Sequence, residues 1–293
     1  MKKRHFFKCR ARKNMNSLKE LCKEIQMPEE AAERMLAAEI PFSQSETDRL
    51  IQMLTDERSY AEAAGKAAEA EGFAGLKIFL LAALKTREIY AEKGIPEEIF
   101  AATMKCFSRF VREHKEYGGG YGFDRGHWGG RQLSLLLFRL GELEFEYRLT
   151  ERNEPLPEGL RAGDPILSVH IPSDAKLTRE KLDASYTWAK RFFSEVPGPW
   201  ISEKPKAILC GTWLLSPELY GLLSENSGIR RFADDYSLYH IQQNDNAIYR
   251  WLYQLSGPVS AEKLPERTCL QRSVKGHLLS GGLIGIAWGI LKD

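Results

Sequence analysis

"ELEFEYRL", residues 142–149, alternates acidic and apolar residues, so that Leu143, Phe145 and Tyr147 fall on one side of an extended chain and Glu142, Glu144 and Glu146 on the other. A period of two marks a β-strand, because successive side chains leave a strand on opposite faces. Upstream the period is different. From Ser17 to about Lys115 apolar residues recur at three and four, as in Phe73, Leu76, Phe79, Leu80, Ala83 and Leu84, and again in Phe100, Met104, Phe107, Phe110 and Val111. That spacing is the stripe a helix turns toward a core. The octapeptide therefore marks where a helical half gives way to one that mixes helices and strands.

Within the helical half, Ser17 and Glu20 read as a capping box ahead of Leu18, Leu21, Cys22 and Ile25. Pro28, Pro41 and Pro96 stand where new helices can begin, and Ser45 can cap another. The run "EYGGGYGFDRGHWGG", residues 116–130, holds seven glycines in fifteen residues. Its composition argues against a regular helix and for a flexible connection or a substrate-side loop. It lacks the G-x-x-x-x-G-K-[ST] phosphate loop. Arg131 to Leu140 then reads as one more helix, closed by Gly141.

Beyond the octapeptide, "PILSVHIP" (165–172) alternates again and ends at Pro172. A long amphipathic helix follows with Leu182, Ser185, Tyr186, Ala189, Phe192 and Phe193 on its stripe. Further strands are expected at Ala207 to Gly211, Tyr236 to Ile241, Ile248 to Gln254 and Leu283 to Leu291. Between the last two, "TCLQRSVKGHLLSGG" reads as a helix with Thr268 and Gln271 as its capping box. The fold class is α+β: a disordered basic tail at 1–15, a helical N-terminal domain at 16–130 that ends in the glycine-rich connection, and an α/β domain at 131–293 with a central mixed sheet.

The totals fit that division. A chain of 293 residues with 43% apolar content can bury a core in each of two domains. The formal charge of +2 is misleading, because seven basic residues precede Met15 and no acid does. Without them 35 basic residues face 40 acidic ones, a body near −5. The tail lacks an apolar core for a secretory signal and reads as a disordered extension. No later stretch reaches about 18 uninterrupted apolar residues. Five cysteines without C-x-x-C spacing fit reduced thiols in a cytoplasm, and the scattered histidines give no metal-ligand spacing.

The segments "LFRLGELEFEYR" (137–148), "VHIP" (169–172), "CGTWLLSPELYGLLSENSGI" (210–229) and "LPERTCLQRSVKGHLLSGGLIGIAWGIL" (264–291) occur in an order that resembles a bacterial acyltransferase-domain family. Its members carry an N-terminal N-acyltransferase helical domain and a GNAT-like C-terminal domain. The likeness extends from about Ser17 to Leu291. It implies transfer of an acyl group from acyl-CoA or acetyl-CoA to a small-molecule amine or peptide, by direct attack and without a metal, nucleic acid or membrane. The alternative is a GNAT-like ligand-binding module without catalysis. GNAT enzymes hold the coenzyme A pyrophosphate on a Q/R-x-x-G-x-G/A turn, which is absent from 131–293. The expected substitute is the start of the "TCLQRS" helix, with Thr268, Gln271, Arg272 and Lys275 near its N-terminus. At the position after Cys210 the family often carries a side chain such as His, where this chain has Gly211.

For the chemistry, Glu144 and Glu146 share a strand face and are the candidate bases, against a solvated outer face. His170 stands at the C-terminal end of a strand, as a base or as a hydrogen-bonded seam residue. Cys210 ends an apolar run, and is either a nucleophile paired with His170 or a core thiol. Tyr249 and Tyr253 on the expected penultimate strand are candidates to protonate a leaving thiolate. Trp213, with Trp128, can line an acyl or pantetheine channel or fill a gap between layers.

Overall fold

Helical stripes and alternating strands segregate as expected in the computed structural model of the chain, which describes residues 15–70, 72–196, 203–243, 246–255 and 257–292. The basic tail lies, up to residue 14, outside those residues. The chain divides into two compact units, one built mainly from residues up to Leu140 and the other mainly from Gly141 onward.

The first unit contains helix α1 (residues 15–24), α2 (Glu29–Ala37), α3 (Gln44–Leu54), α4 (Tyr60–Ala68), α5 (Gly72–Glu92), α6 (Glu97–Gly118) and α7 (Gly126–Leu133), then strand β1 (Leu137–Leu140). Pro28 and Pro96 occupy the N-caps of α2 and α6. Two expected caps move. Residues 15 and 16 are already helical, so Ser17 lies inside α1 rather than ahead of it. The cap of α3 is Ser43, two residues before Ser45, in a full capping box with Glu46. Leu76, Phe79, Leu80 and Ala83 of α5 and Phe100, Met104, Phe107, Phe110 and Val111 of α6 are buried, and the rings of Phe79 and Phe107 lie 6.1 Å apart, tilted.

The glycine-rich run is not a flexible connection. Helix α6 continues through Gly118, and α7 is built on Gly126, Gly129 and Gly130. The reason is close approach. A methyl group at Gly126 would stand 2.8 Å from Phe79 Cζ, at Gly129 2.7 Å from Phe107 Cε1, and at Gly130 2.7 Å from Tyr60 Cδ2. The glycines let aromatic rings of the neighbouring helices lie against the α7 backbone, and that packing overrides glycine's poor helix propensity. Arg131 to Leu140 is likewise no continuous helix. It ends α7 at Leu133, passes Leu135 at φ 60°, and becomes β1. Gly141, at φ 75°, opens a turn instead of capping a helix.

The second unit contains β2 (Leu143–Leu149), β3 (Pro165–His170), α8 (Arg179–Glu195), β4 (Ile208–Thr212), α9 (Pro217–Leu222), α10 (Gly228–Asp234), β5 (Tyr236–Gln242), α11 (Ala247–Trp251), α12 (Cys269–Leu279) and β6 (Ile286–Leu291). The sheet order is β1-β2-β3-β4-β6-β5. β2 runs antiparallel to β3, and β6 antiparallel to both β4 and β5. β3 and β4 are parallel, with α8 in the connection between them. Parallel neighbours require such a crossover, and the stripe of α8 supplies its apolar side: Leu182, Ser185, Tyr186, Ala189, Phe192 and Phe193 are all buried. The Tyr186 ring meets Phe145 of β2 edge-on at 6.4 Å. Ser185 ties the helix to the turn, accepting from the Glu142 N–H at 2.9 Å and donating to the Lys181 carbonyl at 2.8 Å.

One expected strand is a helix. Ile248 to Gln254 contains α11, where the Leu252 N–H donates to the Ile248 carbonyl at 2.9 Å. Short apolar runs do not reveal their period, and Ile248 is drawn into a satellite core with Trp213, Leu219, Tyr253, Leu264, Val274 and Ile284. Among the described residues no helix is long and apolar enough to cross a membrane.

The glycine packing is testable. Gly129→Ala gains intrinsic helix propensity but places a methyl group into Phe107; the expected net change is a loss of about 1–3 kcal/mol in urea unfolding. A neutral or stabilising change would show that the ring gives way.

Candidate functional site

The strand register sorts the candidate residues by face. In the β2–β3 ladder Glu144 pairs with His170, Phe145 with Val169 and Glu146 with Ser168. Glu144, Glu146, Ser168 and His170 therefore share one face. Phe145, Tyr147, Leu167 and Val169 share the other, which α8 covers. The acidic face of β2 is not a solvated one: Glu144 is 4% exposed and Glu146 7%. Glu146 Oε2 lies 2.8 Å from His170 Nε2. A carboxylate at that distance holds the imidazole in one orientation.

Cys210 is turned away from this group. Its thiol is fully buried and donates weakly to the Val169 carbonyl at 3.5 Å, on the side of Phe145, Tyr186 and Tyr236. Burial pushes its pKa far above the ordinary thiol range. Since Val169 and His170 are consecutive in β3, Cys210 and His170 project to opposite faces, and the structure does not bring the conceivable Cys–His pair together. A neutral thiol in an apolar setting is a poor nucleophile.

The residues of α12 are brought together, but around one another. Thr268 Oγ1 accepts from the Gln271 N–H at 3.1 Å, and Gln271 Oε1 accepts from the N–H groups of Arg267 and Thr268 at 2.8 and 3.2 Å. Gln271 Nε2 donates to the Leu252 carbonyl at 3.0 Å, and the Tyr253 hydroxyl donates to the Gln271 carbonyl at 2.9 Å. Lys275 Nζ binds the carbonyls of Glu262 and Leu264 and the Glu266 carboxylate at 2.7 Å. Arg272 reaches the Glu266 carbonyl and Cys269 Sγ. Burial, then Tyr249 and Glu266, push the Tyr253 pKa up to about 12. Trp213 fills the satellite core beneath. The donors expected for a pyrophosphate are engaged within the start of α12 and with the segment that precedes it, and Tyr249 and Tyr253 lie on and after a helix, not on a sheet face.

Two features here were not read from the sequence. The β3–β4 register pairs Leu167 with Ile208 and Ser168 with Leu209, although β3 continues to His170 and β4 to Thr212. The strands thus part on the side where His170 stands. Continuing their register would set His170 beside Gly211. Gly211 in turn pairs with Trp288 of β6, whose indole lies over it: a methyl group at 211 would stand 2.5 Å from Trp288 Nε1. The His240 ring stands 5.2 Å from that indole. The glycine at 211 was visible, but nothing local paired it with a tryptophan 77 positions later.

Native alkylation separates the thiols. Iodoacetamide at pH 8 should label the exposed Cys269 and leave Cys210 unmodified until the protein is unfolded, as read by peptide mass spectrometry. Rapid native labelling of Cys210 would contradict the burial described.

With this geometry in view, comparison with known proteins is informative. Residues 16–135 match the N-acyltransferase N-terminal domain and residues 137–291 the GNAT-like C-terminal domain. A search of curated proteins yields no match. Among solved structures, the chain is similar to an acyltransferase in complex with decanoyl-CoA and teicoplanin, at 24% identity and a TM-score of 0.76 over 94% of this chain and 87% of that one. It is similar to an acyltransferase in complex with CoA and 10C-teicoplanin at 23% identity, TM-score 0.76, over 94% and 87%. A mutant acyltransferase in complex with octanoyl-CoA gives 22%, 0.76, 94% and 88%. These likenesses establish the fold, and the domain match, which spans more than half of the chain, establishes the kinship: the protein belongs to the family with a GNAT-like C-terminal domain, preceded by an N-acyltransferase N-terminal domain.

Proposed function

We propose that the protein is an N-acyltransferase that moves an acyl group from acyl-CoA to an amine of a small molecule or peptide by direct attack. The observation that carries this reading is the early end of β3–β4 pairing beside the Glu146–His170 pair. Where two parallel strands separate, their facing N–H and C=O groups are left for an extended ligand. The two amides of pantetheine are such a ligand, and strand alternation directs the Val169 and Gly211 peptide groups into the gap. Ligands of open α/β sheets bind outside the carboxyl ends of parallel strands, which is this end.

The phosphates then belong at the start of α8 rather than α12. Helix α8 follows β3 directly and points its N-terminus to the same end of the sheet. A helix N-terminus presents free N–H groups and positive potential to an anion. Exposed Lys176 precedes it, while Arg179 in its first turn is held by Asp183 and Asp235 and Lys181 by Glu142. At α12 the corresponding donors already serve the capping box.

In the reaction, Glu144 and Glu146 attract the acceptor ammonium to their face of the sheet. Glu146 fixes the imidazole through Nε2, and His170 takes the amine proton at Nδ1. The amine lone pair adds to the thioester carbonyl, forming the C–N bond. The Gly211 N–H faces the oxyanion. Collapse of the tetrahedral adduct breaks the C–S bond and releases the coenzyme A thiolate, which the protonated His170 neutralises, while the second proton of the former ammonium leaves the nitrogen to water. No covalent enzyme intermediate is needed, consistent with a Cys210 that faces the other side. A cytoplasmic location, where acyl-CoA is supplied, accords with this role.

The test is turnover of acetyl-CoA and longer thioesters with a panel of amines and amino-terminal peptides, following release of the CoA thiol. His170→Ala should lower kcat by about 10²–10⁴-fold with little change in affinity for CoA. Glu146→Gln should lower it less, by loosening the hold on the imidazole. Binding of CoA without turnover of any amine would favour a ligand-binding module, and full activity in His170→Ala would remove the histidine from the mechanism.

A further inference from the structure

The face of the sheet that carries Glu144, Glu146, Ser168 and His170 changes character at the β3–β4 gap. On the far side the register continues with Leu209, Gly211 and, one strand over, Trp288. Polar groups thus line one bank of the gap and apolar ones the other. A thioester seated in the gap has its carbonyl at the boundary, with the attacking amine on the acidic bank. Its acyl chain is left with the apolar bank.

That bank is partly filled. Gly211 has no side chain, and the Trp288 indole uses the space, close enough that even a methyl group at 211 would meet it at 2.5 Å. The indole thereby reaches across β4 toward the gap. The exposed His240 ring lies 5.2 Å from it, tilted. The indole itself is half-buried.

We infer that Trp288, admitted by Gly211, sets the acyl-chain length of this protein and restricts it to short acyl-CoA thioesters, acetyl to butyryl. This rests on the acyl-CoA reading above and adds to it the class of donor. The indole closes the apolar bank within a few carbons of the thioester, so a long chain must displace the ring. Glu144, Glu146 and His170 act on the amine and are indifferent to chain length.

The experiment is calorimetric titration of the wild type, Trp288→Ala and Trp288→Phe with CoA, acetyl-CoA and decanoyl-CoA, the last two as thioether analogues that resist cleavage. In the wild type decanoyl-CoA should bind at least tenfold more weakly than acetyl-CoA. Trp288→Ala should reduce that ratio at least tenfold, Trp288→Phe by less, and affinity for CoA itself should stay within about threefold. Ratios are independent of the folded fraction, and the phenylalanine variant keeps a ring in the sheet if the alanine variant does not fold. A wild type that binds decanoyl-CoA as well as acetyl-CoA, or a ratio unchanged in both variants, overturns the inference while CoA binding leaves the acyl-CoA reading standing. No binding of CoA by the wild type overturns both.

Discussion

The parallel pair of β3 and β4 is the constraint around which the second unit is organised. Parallel strands cannot be joined by a tight turn, so the chain must leave β3, cross the sheet and return. Helix α8 makes that crossing, and its buried stripe of Leu182, Tyr186, Ala189, Phe192 and Phe193 determines which side of every strand becomes core. Phe145, Val169 and Cys210 follow onto that side, and Glu144, Glu146 and His170 are left on the other. Because the pairing of β3 with β4 stops at Ser168 and Leu209, the same crossover that closes the core also opens a gap beside the imidazole.

Burial gives these two faces opposite chemistry. On the α8 side desolvation keeps the Cys210 thiol and the Tyr186 and Tyr236 hydroxyls neutral. On the other side two carboxylates are nearly as buried, yet one of them has an imidazole at hydrogen-bond distance. A buried acid with a histidine partner is expensive for stability alone and is more often found where a proton has to move. At the N-terminus of α12 Thr268 and Gln271 satisfy the free donors as a capping box.

Glycine works in two distinct ways. In α7 it removes Cβ atoms where Phe79, Phe107 and Tyr60 press on the helix, so a run that looks like a linker is a packing surface. In β4 Gly211 yields its space to the Trp288 indole. Composition alone cannot separate these uses from flexibility, since the neighbour that needs the space lies 22 to 77 positions away in the chain.

The sequence by itself determined the division into a helical and a mixed half, the buried stripes of α5, α6 and α8, the strand status of β2, β3 and β5, and the capping box of α12. All of these depend on periodicity or on contacts within a few residues. The likeness to acyltransferases was legible too, carried by segments in order, and so were Glu146 and His170 as separate candidates. Only the tertiary structure decided that these two meet while Cys210 turns away, because a face is assigned by what packs against it and not by alternation alone. It likewise made α11 a helix, since an apolar run as short as Ile248 to Gln254 takes the form its surroundings can bury. The gap between β3 and β4 and the indole over Gly211 depend on strand register, which is set by pairing between distant segments and leaves no mark in either segment alone.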